Sequence, residues 1–184
     1  MSNQGNGRSW LAWTIVAIVI LLGGATLGLS IVNHPNPLTS NPGTSTFNSG
    51  EFSVSELSAV VGLTLQTALL NHSIPDYSLI KDKQNVVLST ENLEGITIPQ
   101  VDGVNLVILP PQEIQARANA QGDFLYLRFS RIAVQDSTVI VGLDNIWMKS
   151  IYSNVNYLSG GGFAIQYHKQ FGNWVGSVTS YWIS

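Results

Sequence analysis

Hydrophobic and polar positions divide the chain into three regimes. Residues 10–32 (WLAWTIVAIVILLGGATLGLSIV) form an unbroken run of 23 without one ionisable side chain. Residues 33–50 (NHPNPLTSNPGTSTFNSG) show no period; they hold three prolines and almost no apolar side chain. Residues 51–184 show first a helical period, then short apolar runs, then alternation of period two.

The first regime is long enough to cross a bilayer, because 1.5 Å per residue gives about 34 Å against a hydrocarbon core of roughly 30 Å. A cleaved signal peptide has a shorter apolar core, about 7–15 residues. An uncleaved transmembrane helix over 10–32 is therefore expected, after a cytoplasmic tail of residues 1–9. Arg8 precedes the run and no Lys or Arg follows before Lys81. That bias places the N-terminus in the cytoplasm and the C-terminal domain outside the cell membrane. Trp10 and Trp13 suit the headgroup level. Gly24 and Gly28 make a G-x-x-x-G pair that would let a second helix approach closely, so a homodimer through them is one expectation. The second regime reads as a linker over 33–50.

Within 51–184, Ser53 and Glu56 form a capping box. Val54, Leu57, Val60, Val61, Leu65, Ala68 and Leu69 follow near the 3.6 period, predicting a helix that ends before Pro75. Residues 85–90 and 104–109 predict two short strands, with Gly95, Pro99 and Asp102-Gly103 marking turns between them. Pro110-Pro111 opens a second helix that closes at Gly122. Four longer strands follow, over residues 124–134, 138–147, 163–169 and 174–183, joined by short turns as an antiparallel meander. Leu125, Leu127, Phe129 and Ala133 are expected on one face, interrupted by Arg131. The last strand is apolar on both faces, which suggests a cover on each side.

This α+β order of helix, two short strands, helix and four-stranded antiparallel meander resembles the cone-shaped fold of the nuclear-transport-factor-2-like and cystatin-like group. The resemblance covers residues 53–184 and rests on element order and strand length. It implies a meander curved around helices that fill its concave side. The first helical hairpin of the group's enzymes is here shortened to one helix. The stretches FLYLRFSRI and LSGGGFAIQYHKQFGNW are similar to segments of membrane-anchored bacterial proteins.

Composition narrows the chemistry. Charged residues are 10% of the chain, the net charge is -3 and cysteine is absent. A basic nucleic-acid-binding surface, a disulfide scaffold, a Cys nucleophile and Cys-ligated metal sites are excluded. His34, His72 and His168 lack a second ligand at helical or strand spacing, so neither a metal nor another cofactor is expected. Ser78 and Lys81 form an isolated S-x-x-K without the companion motifs of penicillin-interacting enzymes. Ser159-Gly160-Gly161-Gly162 lacks the Lys and helix of a phosphate cradle, so it reads as a close-packed turn. Asn71-His72-Ser73 matches a glycosylation sequon, relevant only in a eukaryotic source.

Asp144 interrupts an apolar strand and is the candidate general base, with Tyr126 or Tyr157 as donor and His168 as a further candidate. Against this stands an outward-facing Asp on an alternating strand. Trp147, Tyr157, Trp174 and Trp182 are the candidate binding residues, because aromatic side chains dominate interface energetics. Two functions are weighed: a membrane-anchored protein-binding or assembly module, and a small-ligand or enzymatic domain using the cone's interior. The expected partners are the lipid bilayer through residues 10–32, an unidentified protein and a second copy of the chain, with no nucleic acid. A pocket holding Asp144 would favour the ligand reading, and a filled interior with an apolar outer strip the binding module.

Overall fold

The computed structural model of the chain describes residues 52–157 and 160–183. The expected transmembrane helix, the linker, Gly24, Gly28 and His34 lie outside the described residues. Among the described residues no helix is long and apolar enough to cross a membrane.

The described part is α+β, with two helices and one six-stranded mixed sheet. In chain order its elements are α1 (Val54–Leu69), a 3-10 turn (Tyr77–Leu79), β1 (Asn85–Ser89), β2 (Asn105–Leu109), α2 (Pro111–Gln121), β3 (Phe124–Gln135), β4 (Thr138–Met148), β5 (Gly161–Gln170) and β6 (Asn173–Ile183). The strands lie in the order β2-β1-β3-β4-β5-β6. β1 runs parallel to β2 and β3, and β3 through β6 form the antiparallel meander.

Local sequence accounts for the helix ends. Ser53 caps α1 reciprocally with Glu56: the Glu56 amide donates to Ser53 Oγ at 3.3 Å, and the Ser53 amide donates to Glu56 Oε2 at 2.7 Å. Pro111 opens α2, and Gly122 at φ 83° closes it in a conformation that costs other residues more.

Alternation along the strands sends each helix to its own face. α1 buries Leu57, Val60, Val61, Leu65 and Leu69 against Leu125, Leu127, Phe129, Leu143, Phe163 and Ile165. α2 buries Ile114 with Val87 and Tyr126, which point the other way from Val86, Leu88, Leu125 and Leu127. The helices therefore cover opposite faces. This corrects the expectation that the meander curves around both: residues 90–104, between the parallel strands, cross on the α1 face with Leu93, Ile96 and Val101 buried, and α2 crosses on the other.

A second correction concerns β3. The pairing with β4 shifts between Phe129 and Arg131, leaving Ser130 as the extra residue of a β-bulge. Beyond the bulge Ile132 is buried in the α1-side core, and Ala133 moves to the face shared with Arg131. The interruption at Arg131 was the trace of this bulge. The last strand also differs from expectation. β6 is an edge strand, and Trp174 and Trp182 are half-buried while its other residues are exposed.

Truncation of a core side chain should follow burial. Leu65 is fully buried and Val54 is 54% exposed on the same helix. Leu65→Ala should destabilise the protein by about 2–5 kcal/mol in urea unfolding, and Val54→Ala by less than about 0.5 kcal/mol.

Candidate functional site

The candidate base and its surroundings lie on the α2-side face. Arg128 and Asp144 are cross-strand partners, and Tyr126 pairs with Ile146 two positions away on the same face. Arg128 Nη2 donates to Asp144 Oδ2 at 3.0 Å. The contact uses one nitrogen and one oxygen. Arg128 Nε and Asp144 Oδ1 are buried with no protein hydrogen-bond partner. Asp144 itself is 7% exposed, so the expected outward-facing carboxylate is instead an inward-facing one tied to an arginine.

The bulge at Ser130 makes this ion pair. The tight turn pairs Gln135 with Thr138 and Val134 with Val139, and uninterrupted counting from there would set Arg128 opposite Asn145. One extra residue shifts the register to Asp144 and leaves Asn145 on the core face, fully buried, where its Nδ2 donates to the Pro75 carbonyl at 2.9 Å. A one-residue shift changes both the face and the partner. No residue pattern in the sequence marked it apart from the misplaced Arg131.

The cross-strand row continues from Asp144 to Gly162 and from Gly162 to Trp182. A Cβ on Gly162 would lie 2.5 Å from the Trp182 ring, and one on Gly161 would lie 2.1 Å from the Trp182 carbonyl oxygen. The described glycines of the cluster are thus the place where β6 closes on β5, as a close-packed reading requires. They do not shape a phosphate cradle.

The three candidate catalytic residues do not converge. His168 pairs with Thr138, six positions along β4 from Asp144, or about 20 Å away at strand rise. It is exposed. Tyr126 is close to Asp144, but burial holds its phenol pKa above the ordinary value and its ring packs with Ile114 and Val87. A general base needs a free lone pair within reach of a substrate proton. Asp144 has one oxygen on Arg128 and the other buried.

The candidate binding aromatics also separate. Trp147 stacks on Tyr157 with ring centroids 3.8 Å apart, at the β4–β5 end of the core face. Trp174 lies at the opposite end of the sheet, 5.3 Å from Phe52 and under the Lys169 ammonium. Trp182 is on the α2-side face. Only Trp174 and Trp182 share an element.

Asp123 holds a loop in place, a role that sequence reasoning missed. Its carboxylate accepts from the Ser150 amide at 2.7 Å, from the Ser153 hydroxyl and from the Tyr157 hydroxyl at 2.8 Å. α2 adds two contacts: Gln115 Nε2 donates to the Lys149 carbonyl at 2.8 Å, and Asn119 Oδ1 accepts from the Ile151 amide at 3.0 Å. The loop from Lys149 to Tyr157 is thereby pinned while Ile151, Tyr152 and Val155 stay exposed. Asp123 follows directly on a helix-ending glycine, where a solvated loop carboxylate is the ordinary expectation. The hydroxyls of Ser153 and Tyr157 lie about thirty residues later, beyond the reach of local pattern.

Two clefts lie elsewhere. One of about 720 Å³ borders the outer edge of β2 between Gln84 and Ile108, and one of about 270 Å³ lies between Lys81, Arg117 and Phe124. Neither is lined by Asp144, Tyr126 or His168. Among the described residues no group of three or more His, Asp or Glu is placed to hold a metal ion.

No family model, curated protein or solved structure matches the chain. The site must therefore be read from its own geometry.

Two outcomes test that geometry. If the Arg128–Asp144 pair is structural, Asp144→Ala should destabilise by about 1–3 kcal/mol because it strands a half-buried guanidinium. Arg128→Met with Asp144→Leu should recover most of that loss in urea unfolding, since replacing both partners removes both desolvation penalties. For Asp123, the Ser153 hydroxyl and then the Ser150 amide hold the carboxyl below its ordinary pKa. A depressed folded pKa contributes stability above the unfolded value of about 3.9, and that contribution is lost as pH falls through the folded value. Hydrogen exchange at Ser150 should accelerate, relative to its intrinsic rate, on acidification below that range. Asp123→Asn should produce the same loss of protection already at neutral pH.

Proposed function

We propose that this is a single-pass membrane-anchored protein whose C-terminal α+β domain is an extracytoplasmic protein-binding or assembly module. The observation that carries the reading is the edge strand β6. Its eleven residues (NWVGSVTSYWI) contain no Asp, Glu, Lys, Arg, His or Pro, although charge and proline are the usual protection of a sheet edge. Val175, Val178, Tyr181 and Ile183 are 36%, 42%, 58% and 79% exposed along it. An uncharged, apolar strand at a sheet edge is a ready template for another polypeptide, whose backbone would add to the ladder while alternate side chains give selectivity.

The filled interior supports the same reading. Val60, Val61, Leu65, Phe129, Leu143 and Phe163 are fully buried between α1 and the meander, on the side where an enclosed ligand would have to sit. The anchor belongs to the proposal through residues 10–32, whose length and lack of charge suit a bilayer, and through Arg8, which suits a cytoplasmic N-terminus. An enzymatic reading with Asp144 as base gains no support from a carboxylate that is already paired and enclosed.

The test is photo-crosslinking in intact membranes, with a photoreactive residue replacing Tyr181 or, as a control, exposed Glu94. The expected result is a discrete adduct from position 181 and none from position 94. Equal labelling at both positions, or none at either, would sink the reading.

A further inference from the structure

We infer that β6 joins to β6 of a second copy of this chain, antiparallel, so that two six-stranded sheets become one. The inference rests on the reading of the domain as a protein-binding module and names its partner. Three observations carry it. The first is the unused ladder. β6 pairs on one side with β5 and ends the strand order, so its outward backbone groups have no strand partner among the described residues. Eleven residues is long for an edge, since strands of about 5–6 are commonest.

The second observation is charge. Self-association brings two copies of one strand together, so a strand carrying Lys or Glu brings like charges into the same interface. β6 carries neither. The nearest ammonium, Lys169, is occupied by Glu56 at the start of α1. A neutral strand fits a copy of itself better than it fits an acidic or basic peptide.

The third observation is the register. Pairing with β5 shifts between Ala164 and Ile165, so Thr179 is the extra residue of a bulge in β6. On the core face lie Trp174, Gly176, Val178, Tyr181 and Ile183; on the other lie Val175, Ser177, Ser180 and Trp182. Directly opposed residues in a sheet must share a face. A two-fold axis between Val178 and Thr179 keeps that rule on both sides of the bulge. It sets Ser177 against Ser180 of the second copy, Gly176 against Tyr181, Val175 against Trp182 and Trp174 against Ile183. Moving the axis by half a residue puts core-face residues opposite outer-face ones. The favoured register sets the glycine opposite an aromatic ring and leaves no two bulky rings in direct opposition. It also closes the assembly, because a two-fold pair consumes both β6 edges.

The absence of cysteine makes the register directly testable in the full-length chain purified in mild detergent. Chains carrying Ser177→Cys and chains carrying Ser180→Cys are mixed and mildly oxidised. The expected result is a covalent dimer from the mixture, well above that from either variant alone. Val178 lies beside the axis, so Val178→Lys should weaken the dimer about tenfold or more, as should Val178→Asp, and an equimolar mixture of the two should restore it. Val178 is exposed in the single copy, so both substitutions should leave thermal unfolding little changed.

A dimer that persists in Val178→Lys and gives no 177–180 crosslink would assign self-association to another segment, such as Gly24 and Gly28, and would overturn the inference. A chain that stays monomeric but forms an adduct of unlike mass from position 181 would overturn it too, leaving the binding-module reading intact. A monomer with no adduct from position 181 would remove both.

Discussion

The structure depends on one constraint: β3 ahead of its bulge and the facing half of β4 are packed on both faces, and their alternation sends opposite chemistries in opposite directions. Leu125, Leu127, Phe129 and Leu143 go to α1, while Tyr126, Arg128, Asp144 and Ile146 go to the other side. A strand with one wet face can tolerate a polar residue every second position without provision for it. These strands cannot, so Asp144 needs Arg128 and Asn145 needs the Pro75 carbonyl. The bulge at Ser130 sets which polar residue meets which partner. It converts a simple hairpin register into one that places Asp144, the one carboxylate of these two strands, beside Arg128.

Much of the fold was legible because its signals are local. The Ser53–Glu56 box, the 3.6 period of α1, the proline and glycine at the ends of α2 and the alternation of the four long strands each declare themselves within a dozen residues. What was illegible is non-local. Nothing in NVVLS or NLVIL marks their pairing as parallel, and burial of Leu93, Ile96 and Val101 in the crossing segment is visible only when the sheet is assembled. The resemblance to a cone-shaped fold followed element order, which does not record the face on which each helix packs.

The candidate site was legible to a similar depth. Asp144 stood out as a charge in an apolar strand, and its inward direction reflects the register shift rather than any motif. Trp147 and Tyr157 were marked as aromatic but not as a stacked pair, since the stack brings together a strand and a loop whose Tyr157 hydroxyl is held by the distant Asp123. The exposure of β6 was the least legible of all. Apolar residues on both faces ordinarily mean burial, and nothing within one chain says whether the cover belongs to the same molecule or to another.

The clasp at the start of α1 carries a mechanical meaning. Phe52 rests on Trp174, and Glu56 holds Lys169; that contact, and after it the Ser53 amide and hydroxyl, draw the Glu56 carboxyl down to a pKa of about 2. Both partners sit at the β5–β6 turn, whereas Ile183 ends the same strand at its far end. A pull applied between Phe52 and Ile183 is therefore directed along β6 rather than across it. The ladder to β5 is loaded in shear, so its bonds share the force and must yield together instead of unzipping one by one. A domain held at that clasp would resist tension best along the axis of β6.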